Sequence, residues 1–180
     1  MSRRRMGLAL VAPALGPAQA WASGIGRLRE ARRPAPAVTF MDPEGQERSL
    51  SDFAGEGLVV NLWATWCPPC VAEMPSLDRL QALLREERVR VLALSSDRGG
   101  RAVVEAFYQR IGVRELGVWL DPRGAAARGL GARGLPTSVI VDRAGDERAR
   151  LEGEAEWDAP ALVAAVRRLV APATPPRTQT

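Results

Sequence analysis

The sequence predicts a mixed α/β fold: a central β-sheet flanked by helices, with a β-hairpin on its N-terminal side. Three observations carry that expectation. Leu58-Val59-Val60-Asn61-Leu62-Trp63 and Val89-Arg90-Val91-Leu92-Ala93-Leu94 are nearly continuous apolar runs, the pattern of strands covered on both faces. Between them Leu77, Leu80, Leu83 and Leu84 recur at helical spacing, so the two strands read as a parallel pair joined by a right-handed helical crossover. Ser138-Val139-Ile140-Val141 then turns through Arg143-Ala144-Gly145-Asp146 into Glu147 to Leu151, which adds antiparallel strands and makes the sheet mixed.

Taken from the start, residues 1–22 read as a signal peptide or N-terminal anchor. Arg3-Arg4-Arg5 forms a positive n-region, Met6 to Leu15 a short apolar stretch, and Ala20-Trp21-Ala22 a small-residue cleavage site. The apolar stretch is too short for a conventional membrane span of about 20 residues. Residues 23–35 mix Gly, Arg, Ala and Pro without periodicity and read as a linker. A single domain is expected over 36–171, followed by a Pro- and Thr-rich tail over 172–180. Within the domain, Val38-Thr39-Phe40 and Glu47-Arg48-Ser49-Leu50 flank Asp42-Pro43-Glu44-Gly45 as a hairpin. Ala102 to Ile111 is read as a helix with Val103, Phe107 and Ile111 on one stripe. Asp121-Pro122 opens a short Ala-rich helix that ends among glycines. Asp158 is expected to cap a last helix, with Pro160 in its first turn and Leu162, Val166 and Leu169 inward.

Composition narrows the function. Hydrophobic residues make up 46% and charged residues 26% of 180 residues, which fits a soluble globular domain and makes disorder or a membrane bundle a poor reading of the whole chain. The formal net charge of +4 is concentrated in the N-terminal arginines, and the chain from residue 34 onward is slightly acidic. No nucleic-acid footprint follows from it. An exported chain meets an oxidising compartment, which matters because the two cysteines stand as Cys67-Pro68-Pro69-Cys70.

Cys67 falls where a buried strand gives way to a helix, so its sulfur meets unpaired amide donors and the positive end of the helix dipole. Cys70 lies one turn further on, within reach of a mixed disulfide formed at Cys67. Pro68 and Pro69 suit a first helical turn but offer no amide hydrogen, so the Cys70 amide is the main donor left for the Cys67 sulfur. With no His in the chain and no further Cys, a closed four-ligand zinc site is not expected, and no cofactor is implied. Two inert buried thiols remain the alternative to a redox pair.

Val60-Asn61-Leu62-Trp63-Ala64-Thr65-Trp66-Cys67-Pro68-Pro69-Cys70, then Glu73-Met74-Pro75, then Gly134-Leu135-Pro136-Thr137 carry a resemblance. The chain resembles the thioredoxin superfamily over roughly Val38 to Val170, and most closely the exported TlpA-like thiol–disulfide reductases, relatives of the tethered reductases of cytochrome c maturation. The resemblance implies a thioredoxin-like fold, with Cys67 as nucleophile, Cys70 as resolving thiol, and the two as the redox-active disulfide. It implies that Pro75 kinks the active-site helix. Pro136 is expected to be cis, which puts the Leu135 backbone opposite the cysteines, where an extended client can pair as an added strand. Trp66 would shape the substrate rim, Trp63 is read as core, and Trp157 as packing. One departure stands out: Asn61 occupies the place where cytosolic thioredoxins bury an Asp. Asn cannot accept a proton, so the acid/base group must be another, with Asp97 the first candidate and Glu73 the second.

Together these readings predict a periplasmic protein-disulfide reductase. Its clients would be disulfide-containing proteins, such as apocytochrome c or the thiols of an oxidase copper centre, and its electrons would come from a membrane-embedded thiol donor. The leader is either removed or kept as a membrane tether. A disulfide-forming oxidase and a non-catalytic client-binding module stay open as alternatives.

Overall fold

A computed structural model describes residues 24–171, which places the leader and tail assignments outside the described residues. Eight strands form one sheet: β1 (Arg29–Pro34), β2 (Thr39–Met41), β3 (Glu47–Ser49), β4 (Gly57–Trp63), β5 (Val89–Ser95), β6 (Trp119–Leu120), β7 (Thr137–Val141) and β8 (Asp146–Glu152). Their order across the sheet is β1-β8-β7-β4-β5-β6-β2-β3. The β4–β5 and β5–β6 pairs are parallel and the rest antiparallel. Four α-helices lie among the described residues: α1 (Pro68–Leu84), α2 (Gly100–Ile111), α3 (Ala125–Gly129) and α4 (Pro160–Val170).

The two hairpin turns are built alike. Asp42 Oδ1 accepts the amide hydrogens of Glu44 and Gln46, and Asp142 Oδ1 accepts those of Ala144 and Asp146. An arginine six residues on, Arg48 or Arg148, pairs with the other carboxylate oxygen. Gly45 and Gly145 supply the positive φ (81° and 90°) that closes each turn. The hairpin β2–β3 stands where the sequence placed it, and β2 joins the sheet through Met41 opposite Leu120.

Side-chain alternation along the central strands splits the core in two. Val59 and Trp63 of β4, Val91 and Ala93 of β5 and Ile140 of β7 meet α1, α2 and α4. Leu58, Val60, Leu62, Leu92, Leu94, Val139 and Val141 face the other way. There they meet Phe40, Leu50, Trp119 and the short α3 through Ala126 and Leu130. Helices do flank both faces, but unequally: three pack on one and a single short one on the other.

Three expectations need correction. The segment read as a linker contains a 3-10 turn (Ile25–Arg27) and β1, which pairs with β8 as an edge strand. Its mostly exposed, Arg-rich sequence lacks the apolar alternation that marks an inner strand. In α2 the inward positions are Val104, Phe107 and Tyr108, while Val103 is exposed. Asp158 does not cap α4; its N-cap is Ala159, and the Asp158 carboxylate pairs with Arg79 on α1 instead. Strand β6, two residues long, carries no readable pattern. Among the described residues no helix is long and apolar enough to cross a membrane.

Candidate active site

The site is assembled at one end of the sheet, where β4 ends. β4 delivers the chain at Trp63, buried and stacked on Tyr108 at 5.7 Å, with its indole N–H donated to the Ala93 carbonyl at 3.1 Å. Trp63 is therefore core, as the sequence implied. Thr65 and Trp66 then lead to Cys67, which is the N-cap of α1 with extended backbone. Pro68 and Pro69 occupy the first turn, where missing amide hydrogens cost nothing. As expected from those prolines, the amide of Cys70 is the donor to Cys67 Sγ, at 3.4 Å.

Cys67 and Cys70 are joined as a disulfide, with their Cα atoms 5.3 Å apart. Cys70 is fully buried and Cys67 6% exposed, so Cys67 is the sulfur that faces outward. Trp66 beside it is 67% exposed, the most open large apolar residue of the described chain. Pro75 lies inside α1 and leaves the Val71 carbonyl without its usual helical donor.

The peptide bond Leu135–Pro136 is cis. Two hydrogen bonds fix this loop: Thr137 Oγ1 donates to the Gly134 carbonyl at 2.7 Å, and the Gly153 amide to the Pro136 carbonyl at 2.9 Å. Thr137 is the register partner of Leu62 on β4. Pro136 thus arrives at the same end of the sheet as Cys67. Pro136 is buried and Leu135 half-buried. Among the described residues, neither the amide nor the carbonyl of Leu135 is taken up by an internal hydrogen bond.

Two buried carboxylates lie near the cysteines, and they differ. Glu73 sits on α1 three residues after Cys70, on the same helical face. Its Oε1 accepts from Asn61 Nδ2 at 2.7 Å, and its Oε2 from the Ala155 amide and Trp157 Nε1, both at 3.0 Å. Burial nonetheless outweighs these three donors and lifts its carboxyl to about 7. Asp97 follows β5 and is spent on the loop before Cys67. It accepts from the Thr65 amide at 2.9 Å, from Thr65 Oγ1 at 2.6 Å and from Ser95 Oγ at 2.7 Å. Of the two candidates the sequence offered, Asp97 is thus tied to the loop before Cys67, and Glu73 is held by donors outside it with its carboxyl raised.

Sequence reasoning missed three members of the Glu73 cluster. Trp157 packs as expected but also donates to Glu73. Asn61 is the clamp on that carboxylate, and shares its amide hydrogens with Ser138 Oγ at 2.9 Å. Ser76 Oγ ties the Glu73 carbonyl and the Ala155 carbonyl together, and accepts the Trp157 amide. The available signal was the inward spacing of Cys70 and Glu73 on one helix; the other partners lie up to 84 residues away in sequence. No group of three or more His, Cys, Asp or Glu suited to a metal ion occurs among the described residues.

Comparison with known proteins agrees with this geometry. Residues 30–166 match the Redoxin family. The thiol-disulfide oxidoreductase ResA of Bacillus thuringiensis subsp. konkukian is 34% identical over 125 residues, covering 69% of this chain and 71% of the relative. ResA of Geobacillus thermodenitrificans is 31% identical, over 66% and 67%. Among solved structures, a thiol:disulfide interchange protein DsbE from Chlorobium tepidum superimposes with a TM-score of 0.64 at 27% identity, over 79% of this chain and 94% of that one. The exposed lipoprotein thioredoxin of Streptococcus pneumoniae gives 0.61 at 26% identity, over 74% and 99%.

Proposed function

The chain belongs to the Redoxin family and is a thiol–disulfide oxidoreductase of the TlpA and ResA kind, and from that premise we propose that it works as a reductant of client-protein disulfides outside the cytoplasm. The observation that carries the direction is the sparse stabilisation of Cys67. Its sulfur accepts one amide hydrogen, from Cys70, and the chain has neither Lys nor His to set beside it. Strong oxidants owe their potential to a heavily stabilised reduced form, and a weakly supported thiolate gives the opposite bias.

In the reduced protein the Cys67 thiolate attacks one sulfur of a client disulfide and expels the other as a client thiolate. The mixed disulfide is held with the client backbone along Leu135 and Pro136 and its side chains against Trp66. Cys70 gives its proton to Glu73, and its thiolate then attacks Cys67 Sγ. The second client thiolate leaves, and the protein ends as the disulfide seen here. Two electrons have passed to the client. A membrane-embedded dithiol donor returns them, which makes the oxidising compartment no obstacle. By the resemblance to the exported TlpA-like reductases, the clients are cysteine pairs of apocytochrome c or of an oxidase copper centre. The arginine-rich leader serves export, either as a cleaved signal or as a tether.

Asp97 acts here as a brace. It fixes Thr65, and through it the entry of the chain into Cys67.

Equilibration against glutathione tests the direction. A reductase is expected near about −270 mV, and a value near about −120 mV would assign the oxidase role instead. The Cys70→Ser variant is expected to accumulate covalent client adducts on Cys67, identifiable by mass spectrometry. Full biological activity in Cys67→Ser would reject any role in electron transfer.

A further inference from the structure

Arginines that the redox site does not use gather in one concavity. A basin of about 660 Å³ is lined by Arg27, Arg29, Arg33, Arg133 and Arg150, with Glu152 the one carboxylate on its wall. Arg33 and Arg150 both grip Glu147, which is buried beneath them. Arg27 donates to the Glu154 carbonyl and leaves its buried Nε without a partner. Arg29 and Arg133 are exposed and join no ion pair among the described residues.

This is segregation of charge, not excess. Residues 24–171 hold as many carboxylates as arginines, yet here guanidinium groups converge on a hollow. The β1–β8 register even sets Arg29 directly opposite Arg150, a like-charge pair that opposes pairing of the two strands. An anion in the basin would relieve that repulsion.

The position is as informative as the charge. Leu130 and Gly131 belong to the same basin, and from Arg133 the chain runs straight into Gly134, Leu135 and cis Pro136. On the other side, Glu152 is the cross-strand partner of Thr137, next to Pro136. Four residues of extended chain span up to about 14 Å, so a polypeptide lying along Leu135 reaches the basin within a few residues.

We propose that the arginine basin is a second client-docking subsite, which receives an acidic segment of the client polypeptide flanking the disulfide held at Leu135 and Pro136. The inference rests on the client-reductase reading and adds a charge preference to it. A concave site admits side chains, whereas the plane of an anionic membrane cannot enter it.

Binding measured apart from turnover decides the matter. Peptides carrying Ser in place of the client Cys pair, flanked by Asp/Glu, by Gln or by Arg, are titrated into the oxidised protein. The acidic peptide is expected to bind about ten times more tightly than the Gln peptide. That preference should vanish in R29Q/R133Q, whose replaced side chains are exposed, and should shrink as salt rises from about 0.01 M to 1 M. Equal affinity for all three flanks overturns the proposal. So does adsorption of the protein to phosphatidylglycerol vesicles combined with no discrimination among peptides. Reduction of the matching disulfide peptides is followed separately: its absence would reject the reductase reading, while the affinities still judge the basin.

Discussion

Glu73 and Asp97 are both buried carboxylates, one in the helix that follows Cys67 and one after β5, and both accept three hydrogen bonds. Their donors differ in origin. Asp97 takes two from Thr65, part of the loop that carries Cys67, so its bonds shape the loop and restrain it. Glu73 takes its three from β4, from the Ala155 amide and from the Trp157 indole, all outside the loop, so its bonds fix the carboxylate itself. A carboxylate that holds other groups in place is architecture. One that is held in place, on the face of Cys70 and lifted by burial to about 7, is equipped to exchange a proton at neutral pH. The number of hydrogen bonds does not separate the two; what each bond restrains does.

The sharpest way to break this contrast is Glu73→Gln. Release of the mixed disulfide at pH 7 is expected to slow about 100-fold, with the pH dependence near 7 abolished, as read by stopped-flow thiol release. The same variant carries a stability signature. Glu73 titrates near 4.5 when unfolded and near 7 when folded, so the folded state binds more protons between those values. Stability therefore falls as pH rises through that window, by about 3 kcal/mol in all, and levels off above it. Denaturant unfolding at pH 4.5 and pH 8 should show that fall in the wild type and lose it in the variant. A variant with unchanged release kinetics would place the proton elsewhere.

Asp97→Ala should behave the other way round. Losing the acceptor of two hydroxyls and an amide costs about 3 kcal/mol of stability, while the rate per folded molecule drops less than about 10-fold. A 100-fold loss of rate with native stability would reverse the assignment. The smallest effect is expected from Trp157→Phe, which keeps the ring and removes one donor from Glu73. Its carboxyl should rise by about 0.5–1 unit, moving the pH–rate profile upward by the same amount with the maximal rate retained. An unmoved profile would show that the indole N–H does not tune Glu73.

The fold was legible wherever burial writes a period into the sequence. β4 and β5 are apolar nearly throughout, α1 repeats its leucines, and both hairpins carry the Asp-x-x-Gly turn. The redox pair was legible too, because a CxxC after a buried strand and before prolines allows few other geometries. What escaped lacks a local signature. β1 is an edge strand rich in arginine, β6 is two residues long, and the α2 stripe slipped by one position between Val103 and Val104. The partners of Glu73 escaped for a related reason. Proximity along the chain says nothing of Ala155 and Trp157, which reach Glu73 from the segment between β8 and α4.

The outer strand β1 has one more consequence, for the molecule among its own copies. Open sheet edges invite a neighbour's strand to continue the ladder, and such growth has no natural end. Here the rim reads Arg29-Glu30-Ala31-Arg32-Arg33-Pro34: crowded with positive charge, closed by a residue with no hydrogen to share, and irregular between Glu30 and Arg33. An identical rim laid alongside would meet its own charges. Stacking into fibrils from this side is thereby discouraged, which leaves each copy of the molecule free to meet partners singly.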